Sequence, residues 1–487
     1  MSSAPPTHVN PEFRGQFHLT PERGWLNDPN GFSWFGDRLH LFYQHHPYTS
    51  TWGPMHWGHA VTTDLVRWTS LPMALAPGEP YDADGCFSGG AVADGDRHVL
   101  LYTGHLDPDP KDPTRRLETQ CLAWGDGMTY TKAPHNPVIG TDKLPPGASR
   151  GDFRDPKVWK EGATWYCLAA SRHSDGNGQI LLFTAQDPTQ WNLVGPVLRS
   201  EGKLGGMWEC PDLSVVGGRD VLLWSVMAQP RQEGGFQNPH SVVWAPGVLD
   251  RSTATFTPDQ IREIDHGPDF YAPQTTTLPD GRVVLVAWMQ MWERTIPTHE
   301  LAHGWAGRMS LVREVFWHRG VLAQRPVKEL EAFRRSAVSH QATVEGRRRF
   351  AGVEGQSLDL DLEFRAWTGS SLGLRFFVGD DEETVLTWEV STAWLTLDRS
   401  RGGVAIASKS ASHPDCQVYR ARVDAPEGVL SLRLVLDRSA VEIFAQNGTT
   451  TLSATVFPKA SSRHVEFFSV DGKVEVTCKA WELAVSE

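Results

Sequence analysis

Three acidic residues stand at the mouths of short apolar runs. They are Asp28 in Trp25-Leu26-Asn27-Asp28-Pro29-Asn30-Gly31, Asp155 in Arg154-Asp155-Pro156, and Glu209 in Trp208-Glu209-Cys210-Pro211-Asp212. Two carboxyls facing one cleft can cleave a glycosidic bond. One attacks the anomeric carbon or activates water, and the other gives a proton to the leaving oxygen. Crowding and burial separate their pKa values, so that an acid and a base coexist at one pH. Asn27 and Asn30 flank Asp28 and are expected to keep it ionised. Met207-Trp208 and Cys210-Pro211 give Glu209 a drier setting, suited to a protonated acid. Arg154 favours an ionised Asp155, which would bind hydroxyls and stabilise positive charge. A single Asp-Pro is ordinarily a turn cap. Three acids at matched places in a repeat call for another explanation.

The repeat has five units, each a polar or Pro-containing motif, a strand, a tight turn and a second strand. They begin at Asp28-Pro29, Ser88-Gly89, Asp155-Pro156, Cys210-Pro211 and Ala272-Pro273, at intervals of 60, 67, 55 and 62 residues. Gly36-Asp37, Asp94-Gly95-Asp96, Glu161-Gly162, Gly217-Gly218 and Asp280-Gly281 supply the turns. A second marker, Asp64, Asp126, Asp187 and Asp250, recurs at 62, 61 and 63 residues. A period of this size with about four strands per unit predicts the blades of a β-propeller. First strands of different blades converge on the axis, so acids 127 and 54 residues apart can share one pocket. One detail resists: Glu209 precedes its Cys-Pro, whereas Asp28 and Asp155 occupy the position of that Cys. Strict alternation points Glu209 the other way unless a bulge at Pro211 intervenes.

Two domains are expected for 487 residues of which 40% are hydrophobic. Residues 1–10 read as a flexible tail, 11–325 as a five-bladed propeller, 326–342 as a short helical linker and 343–487 as a β-sandwich. The sandwich reading rests on strict alternation in Leu358-Asp359-Leu360-Asp361-Leu362-Glu363-Phe364 and Leu430-Ser431-Leu432-Arg433-Leu434-Val435-Leu436. A net charge of −12, with no basic cluster longer than Arg347-Arg348-Arg349, argues against nucleic-acid and anionic-membrane partners. No apolar run approaches the ~20 residues of a membrane span. The start shows no secretory signal, and the six cysteines are scattered, which points to a cytoplasmic protein with free thiols. Asn447-Gly448-Thr449 reads as a hairpin turn rather than a glycosylation site. Most of the 20 tryptophans are expected to pack between blades and a few to face a sugar.

The ordered set of motifs resembles glycoside hydrolase family 32, the β-fructofuranosidases, over nearly the whole chain. It comprises Trp25 to Gly31, Gln44, Trp52-Gly53, Met55 to Ala60, Phe87-Ser88-Gly89, Arg154-Asp155-Pro156 and Trp208 to Asp212. Farther on come Asp269 to Gln274, Ala287-Trp288-Met289, Gly304 to Arg308 and Val441-Glu442-Ile443-Phe444. The resemblance implies a propeller joined to a sandwich and a retaining mechanism with a covalent fructosyl intermediate. It assigns Asp28 as nucleophile, Glu209 as acid/base and Asp155 as transition-state stabiliser, with the Asp28 and Glu209 carboxyls about 5–5.5 Å apart. It also implies that Asn27, Gln44, Trp52, Phe87, Ser88, Arg154, Tyr271 and Trp288 line the fructosyl pocket. No cofactor is implied. The chain departs from the common family pattern at Gly90 and Ala287, which affects subsite detail and leaves the acids intact.

His40, His45, His46, His56 and His59 are dense, but their placement on strands and loops does not make a metal ligand set. Cys210 lacks a His partner and reads as a packing or tuning neighbour. The expected partner is a small fructoside, with sucrose first. Sucrose-6-phosphate, fructans and fructosyl transfer are the enzymatic alternatives, and an inactive carbohydrate-binding homologue is the non-enzymatic one. A phosphate would need rim cations, for which Arg115, Arg116, Arg231 and Arg294 are candidates. The sandwich is read as structural or dimerising, with Glu442 an interface residue. The oligomeric state is left open, a homodimer being one form.

Overall fold

The computed structural model describes residues 8–485 apart from 110, 113, 114 and 233. Most of the tail expected at 1–10 therefore lies outside the described residues. Asn10 is anchored: its amide donates to the His303 carbonyl at 3.0 Å, and its own carbonyl accepts from the Trp305 indole at 2.8 Å.

Five antiparallel sheets follow one another, each entered by its innermost strand: Gly24–Phe35, Gly85–Asp94, Ala148–Glu161, Met207–Val216 and Tyr271–Thr277. We call these blades I to V. The predicted turns lie between the first two strands of each blade. Blade packing explains much of the tryptophan content: Trp57, Trp191, Trp208, Trp224, Trp288 and Trp305 are all fully buried. The ring closes where Trp305–Ala306, from the long excursion of blade V, pairs parallel with Gly24 and Trp25 of blade I. That closure needs Gly307, whose φ is +90° and where a Cβ would overlap the Leu26 carbonyl.

The residues after the prolines of blades III, IV and V, Lys157, Asp212 and Gln274, tie the inner strands together across the blades. Lys157 of blade III pairs with Asp212 of blade IV at 2.6 Å and donates to the Thr275 carbonyl of blade V at 2.8 Å. Gln274 of blade V accepts from the Phe32 amide at 3.0 Å and donates to the Gly89 carbonyl at 2.9 Å, joining blades I and II. Breaking one partner of a buried pair leaves the other charge uncompensated. Asp212→Ala is therefore expected to lose about 3–5 kcal/mol of stability. Denaturant unfolding checks this; a midpoint equal to wild type would contradict it.

The linker is shorter than the sequence reading placed it. A 3-10 turn covers only Lys328–Phe333, and Arg334–Arg348 is already strand, paired along the C-terminal strand His464–Leu483. Pro326 and the apolar spacing imitate a helix start, but the strand partner claims the residues from 334 onward. The first half of His464–Leu483 pairs with Ser371–Val378 and the second half with Ser357–Arg365. One 20-residue strand thus crosses both layers of the β-sandwich, which form a single hydrogen-bonded path. The alternating leucines Leu358, Leu360, Leu362, Leu430, Leu432, Leu434 and Leu436 fill the core between them.

The two domains are joined by buried charges. Arg313, fully enclosed, pairs with Asp265 at 3.1 Å and Glu442 at 2.9 Å. His18 bridges Asp437 at 2.9 Å and Glu442 at 3.2 Å, and the two carboxylates raise its pKa against burial. Glu442 is thus an interface residue, as its motif implied.

Candidate active site

A repeated bulge settles the phase of Glu209. In blades III, IV and V the pairing of the first two strands slips across Asp155-Pro156, Cys210-Pro211 and Ala272-Pro273. The residue before each proline is left-handed, with φ of +63° at Asp155, +47° at Cys210 and +51° at Ala272. Non-glycine residues held in that region cost about 1 kcal/mol or more each. Three at equivalent places are a built feature, and each lets two consecutive side chains face the axis. Blades I and II also slip, between Leu26 and Pro29 and between Phe87 and Gly89.

The outcome is two sets of side chains. Residues two before the proline position meet at Glu209: Arg154 donates to Glu209 Oε1 from Nη2 at 2.8 Å and Nε at 3.1 Å, and the Tyr271 hydroxyl donates to Oε2 at 2.6 Å. Residues directly before it meet around Asp28: Ser88 Oγ donates to Asp28 Oδ2 at 3.1 Å, and Cys210 Sγ lies 3.8 Å from the same oxygen. Cys210 also serves Asp155, with its amide donating to Oδ2 at 3.0 Å and its Sγ at 3.5 Å. It is a packing and hydrogen-bonding neighbour of both acids. Burial pushes the Asp28 carboxyl up to about 6, the Glu209 charge adding to the shift while the neighbouring Asn27 and Ser88 side chains pull it down. Asp155 is raised as well, by burial first; Arg154, 3.9 Å away, pulls against the rise, and the Glu209 and Asp28 charges add to it. Arg154 favours the ionised form, as expected, but burial prevails over it. Glu209 is mostly buried, but its side chain is surrounded by Arg154 and Tyr271 rather than by Trp208, which packs on Trp224.

These groups stand in a funnel of about 520 Å³, which Asn27, Gln44, Trp52, Phe87, Ser88 and Arg154 also line. Trp52 is exposed at the rim and meets Phe87 edge to face. Two expected lining residues are placed otherwise. Trp288 is fully buried behind Trp25 and Trp292, and Trp292 takes the wall in its stead. Tyr271 is buried and reaches the site only through its hydroxyl on Glu209. Of the proposed rim cations, Arg116 lines the funnel. Arg294 is buried at the domain interface, bound to Asp269, Asn238 and Tyr419. Arg115 is paired with Asp84 at 2.6 Å, and Arg231 is absent from the lining.

Sequence reasoning missed His105, Glu118, Met227, His240, Trp292 and Glu293 as wall residues. His105 and Met227 close the second strands of their blades, a position the repeat itself marks. Glu118 is buried and holds Arg154 Nη1 at 3.1 Å and the Phe153 amide at 2.8 Å. Glu293 lies on a segment that the sandwich pins in place: its carbonyl accepts from the Lys409 amide at 2.7 Å, and the Thr295 amide donates to the Ala407 carbonyl at 2.9 Å. The histidines flagged earlier pack as aromatics, His59 stacking on Phe42 at 4.2 Å with its pKa lowered by burial.

A five-bladed propeller whose axial funnel ends in three carboxylates, steadied by one buried guanidinium, has the architecture of a glycosidase. The glycosyl hydrolases family 32 N-terminal domain matches residues 18–326, and the family's C-terminal domain matches 329–482. The chain belongs to glycosyl hydrolase family 32. It is 34% identical over 477 residues to a sucrose-6-phosphate hydrolase of Escherichia coli, covering 94% of this chain and 92% of that protein. It is 36% identical over 482 residues to a raffinose invertase of Escherichia coli, covering 95% and 93%. Among solved structures, a mutant of the Bombyx mori GH32 beta-fructofuranosidase in complex with sucrose superposes with a TM-score of 0.84 at 33% identity, covering 98% of this chain and 95% of that one.

Proposed function

We infer that the chain is a retaining β-fructofuranosidase that releases terminal fructosyl units from small fructosides, sucrose foremost. The observation that carries this reading is the convergence of Asp28, Asp155 and Glu209 in one funnel of a family 32 chain. In this reading Asp28 attacks the anomeric carbon, Glu209 protonates the departing oxygen, and Asp155 binds ring hydroxyls and, in its ionised form, offsets developing positive charge. Arg154 and Tyr271 orient Glu209, while Ser88 orients Asp28. Water then enters on Glu209's side and frees the sugar with its configuration retained.

Release of reducing sugar from sucrose, sucrose-6-phosphate, raffinose, inulin and levan tests the reading; inactivity on all five would end it. A pH profile tests the nucleophile. Asp28 must be ionised to attack, and its carboxyl lies at about 6, so kcat/KM is expected to fall tenfold per pH unit below about 6. A plateau that continues to pH 4.5 would contradict the assignment. We also place the protein in the cytoplasm, a setting supported by six cysteines that are all free thiols. Among the described residues no helix is long and apolar enough to cross a membrane.

A further inference from the structure

The cation and anion inventory of the funnel wall bears on which fructoside enters. The lining carries six carboxylates, Asp28, Asp107, Glu118, Asp155, Glu209 and Glu293, against two guanidiniums, Arg116 and Arg154. The excess stays negative even with Asp155 protonated. Both guanidiniums are already engaged. Arg154 is one-tenth exposed and locked on Glu209 at 2.8 Å and Glu118 at 3.1 Å. Arg116 is half exposed and paired with Asp152 at 3.0 Å. The two wall histidines face acids as well: His105 stands between Asp107 at 3.1 Å and Glu118 at 3.2 Å, and His240 is 3.7 Å from Glu293. Arg115, behind the wall, is spent on Asp84 and on the Asp107 carbonyl, each at 2.6 Å.

The position of these groups matters as much as their number. The proton donor marks the side on which the leaving sugar departs. Arg154 and Tyr271 hold Glu209. From that cluster one chain of contacts runs through Glu118 and His105 to Asp107, and His240 connects its other flank to Glu293. Asp107 and Glu293 are both about half exposed at the rim. In a phosphorylated sucrose the phosphate rides on the leaving glucosyl unit and carries ~1.5–2 negative charges at neutral pH. It would enter between two carboxylates, with no uncommitted cation among the lining residues. Phosphate recognition ordinarily uses a free Arg fork or Lys. An uncharged glucosyl unit asks only for hydrogen bonds and ring faces, which the carboxylates and Trp292 offer.

We propose that the leaving-group side of the funnel is built for an uncharged sugar, so that the chain cleaves sucrose in preference to sucrose 6-phosphate. This rests on the β-fructofuranosidase reading above and departs from the activity named for several of its relatives. The test compares kcat/KM for the two substrates on the full chain at pH 7.5 and low ionic strength, where screening is weakest. Sucrose is expected to lead by about tenfold or more. In the double variant Asp107→Asn/Glu293→Gln, the ratio of ester to sucrose activity is expected to rise by about tenfold. Arg116→Gln is expected to move that ratio by less than about threefold. Equal or greater activity on the ester would overturn the proposal while leaving the fructosidase reading intact. So would a loss in Arg116→Gln confined to the ester. Inactivity of the folded protein on both substrates would instead overturn the fructosidase reading, and the proposal with it.

Discussion

Asp28→Ala is expected to lower kcat/KM on sucrose by about four to six orders of magnitude, with the fold retained. The size follows from the role: a nucleophile acts as a unit with its acid, so its loss removes most of the chemistry at once. The fold is spared because Asp28 holds little in place. One carboxylate oxygen accepts from Ser88, and the other, though buried, has no partner. A desolvated oxygen without a partner is a cost to the native state. The variant is therefore expected to melt at a higher temperature than wild type, activity having been bought with stability. The pH dependence of that gain has a definite sign. Asp28 is raised from 3.8 to about 6, so between these values the native state binds more protons than the unfolded one. Wild-type stability falls through this window as pH rises, and the advantage of Asp28→Ala should appear above pH 6 and vanish below pH 4. Thermal melts across this range check it; an equal or larger advantage at pH 4 would contradict the burial of the carboxyl.

Arg154→Leu is expected to damage both activity and stability. Arg154 touches Glu209 and Glu118 directly and lies 3.5 Å from Asp152 and 3.9 Å from Asp155. Without it Glu118, which is buried, keeps only His105 and the Phe153 amide. Removing one partner of a buried ionic set costs about 3–5 kcal/mol. Losing the group that aims Glu209 should also cost about two to four orders of magnitude in kcat/KM. Arg154→Lys separates the two effects. It restores the charge but not the planar fork that spans Glu209 and Glu118, so stability should recover more than turnover. Kinetics and melts on both variants decide the matter; wild-type stability in Arg154→Leu would refute the role given to the buried network.

The propeller was legible because its cause is local and repeated: five turns, five apolar second strands and a fixed interval. The sandwich was legible from period-two alternation. Glu209 was harder. Its facing depends on a left-handed residue at Cys210, and nothing in Glu-Cys-Pro fixes φ at +47° except the inner strand's neighbours. Trp288 shows the opposite failure. A motif match puts it near the pocket, yet Trp25 and Trp292 cover it, an arrangement set by tertiary packing alone. Arg294 looked like a loop cation until the sandwich supplied Tyr419 beside it. Wall residues such as His240 and Glu293 carry no local pattern, because their positions depend on which strand ends share a rim. The inter-blade contacts of Lys157, Asp212 and Gln274 are legible only in retrospect, as the residues after the prolines of blades III to V.

The most direct measurement is rapid-quench peptide mapping of Glu209→Gln during turnover of an activated fructoside whose leaving group needs no proton. Attack proceeds in that variant while the water step stalls, so the intermediate accumulates. A single fructosyl ester on the peptide that contains Asp28 is the predicted result. Turnover with that peptide unmodified, or with the ester on Asp155, would contradict the account of how the bulged inner strands divide the work among their acids.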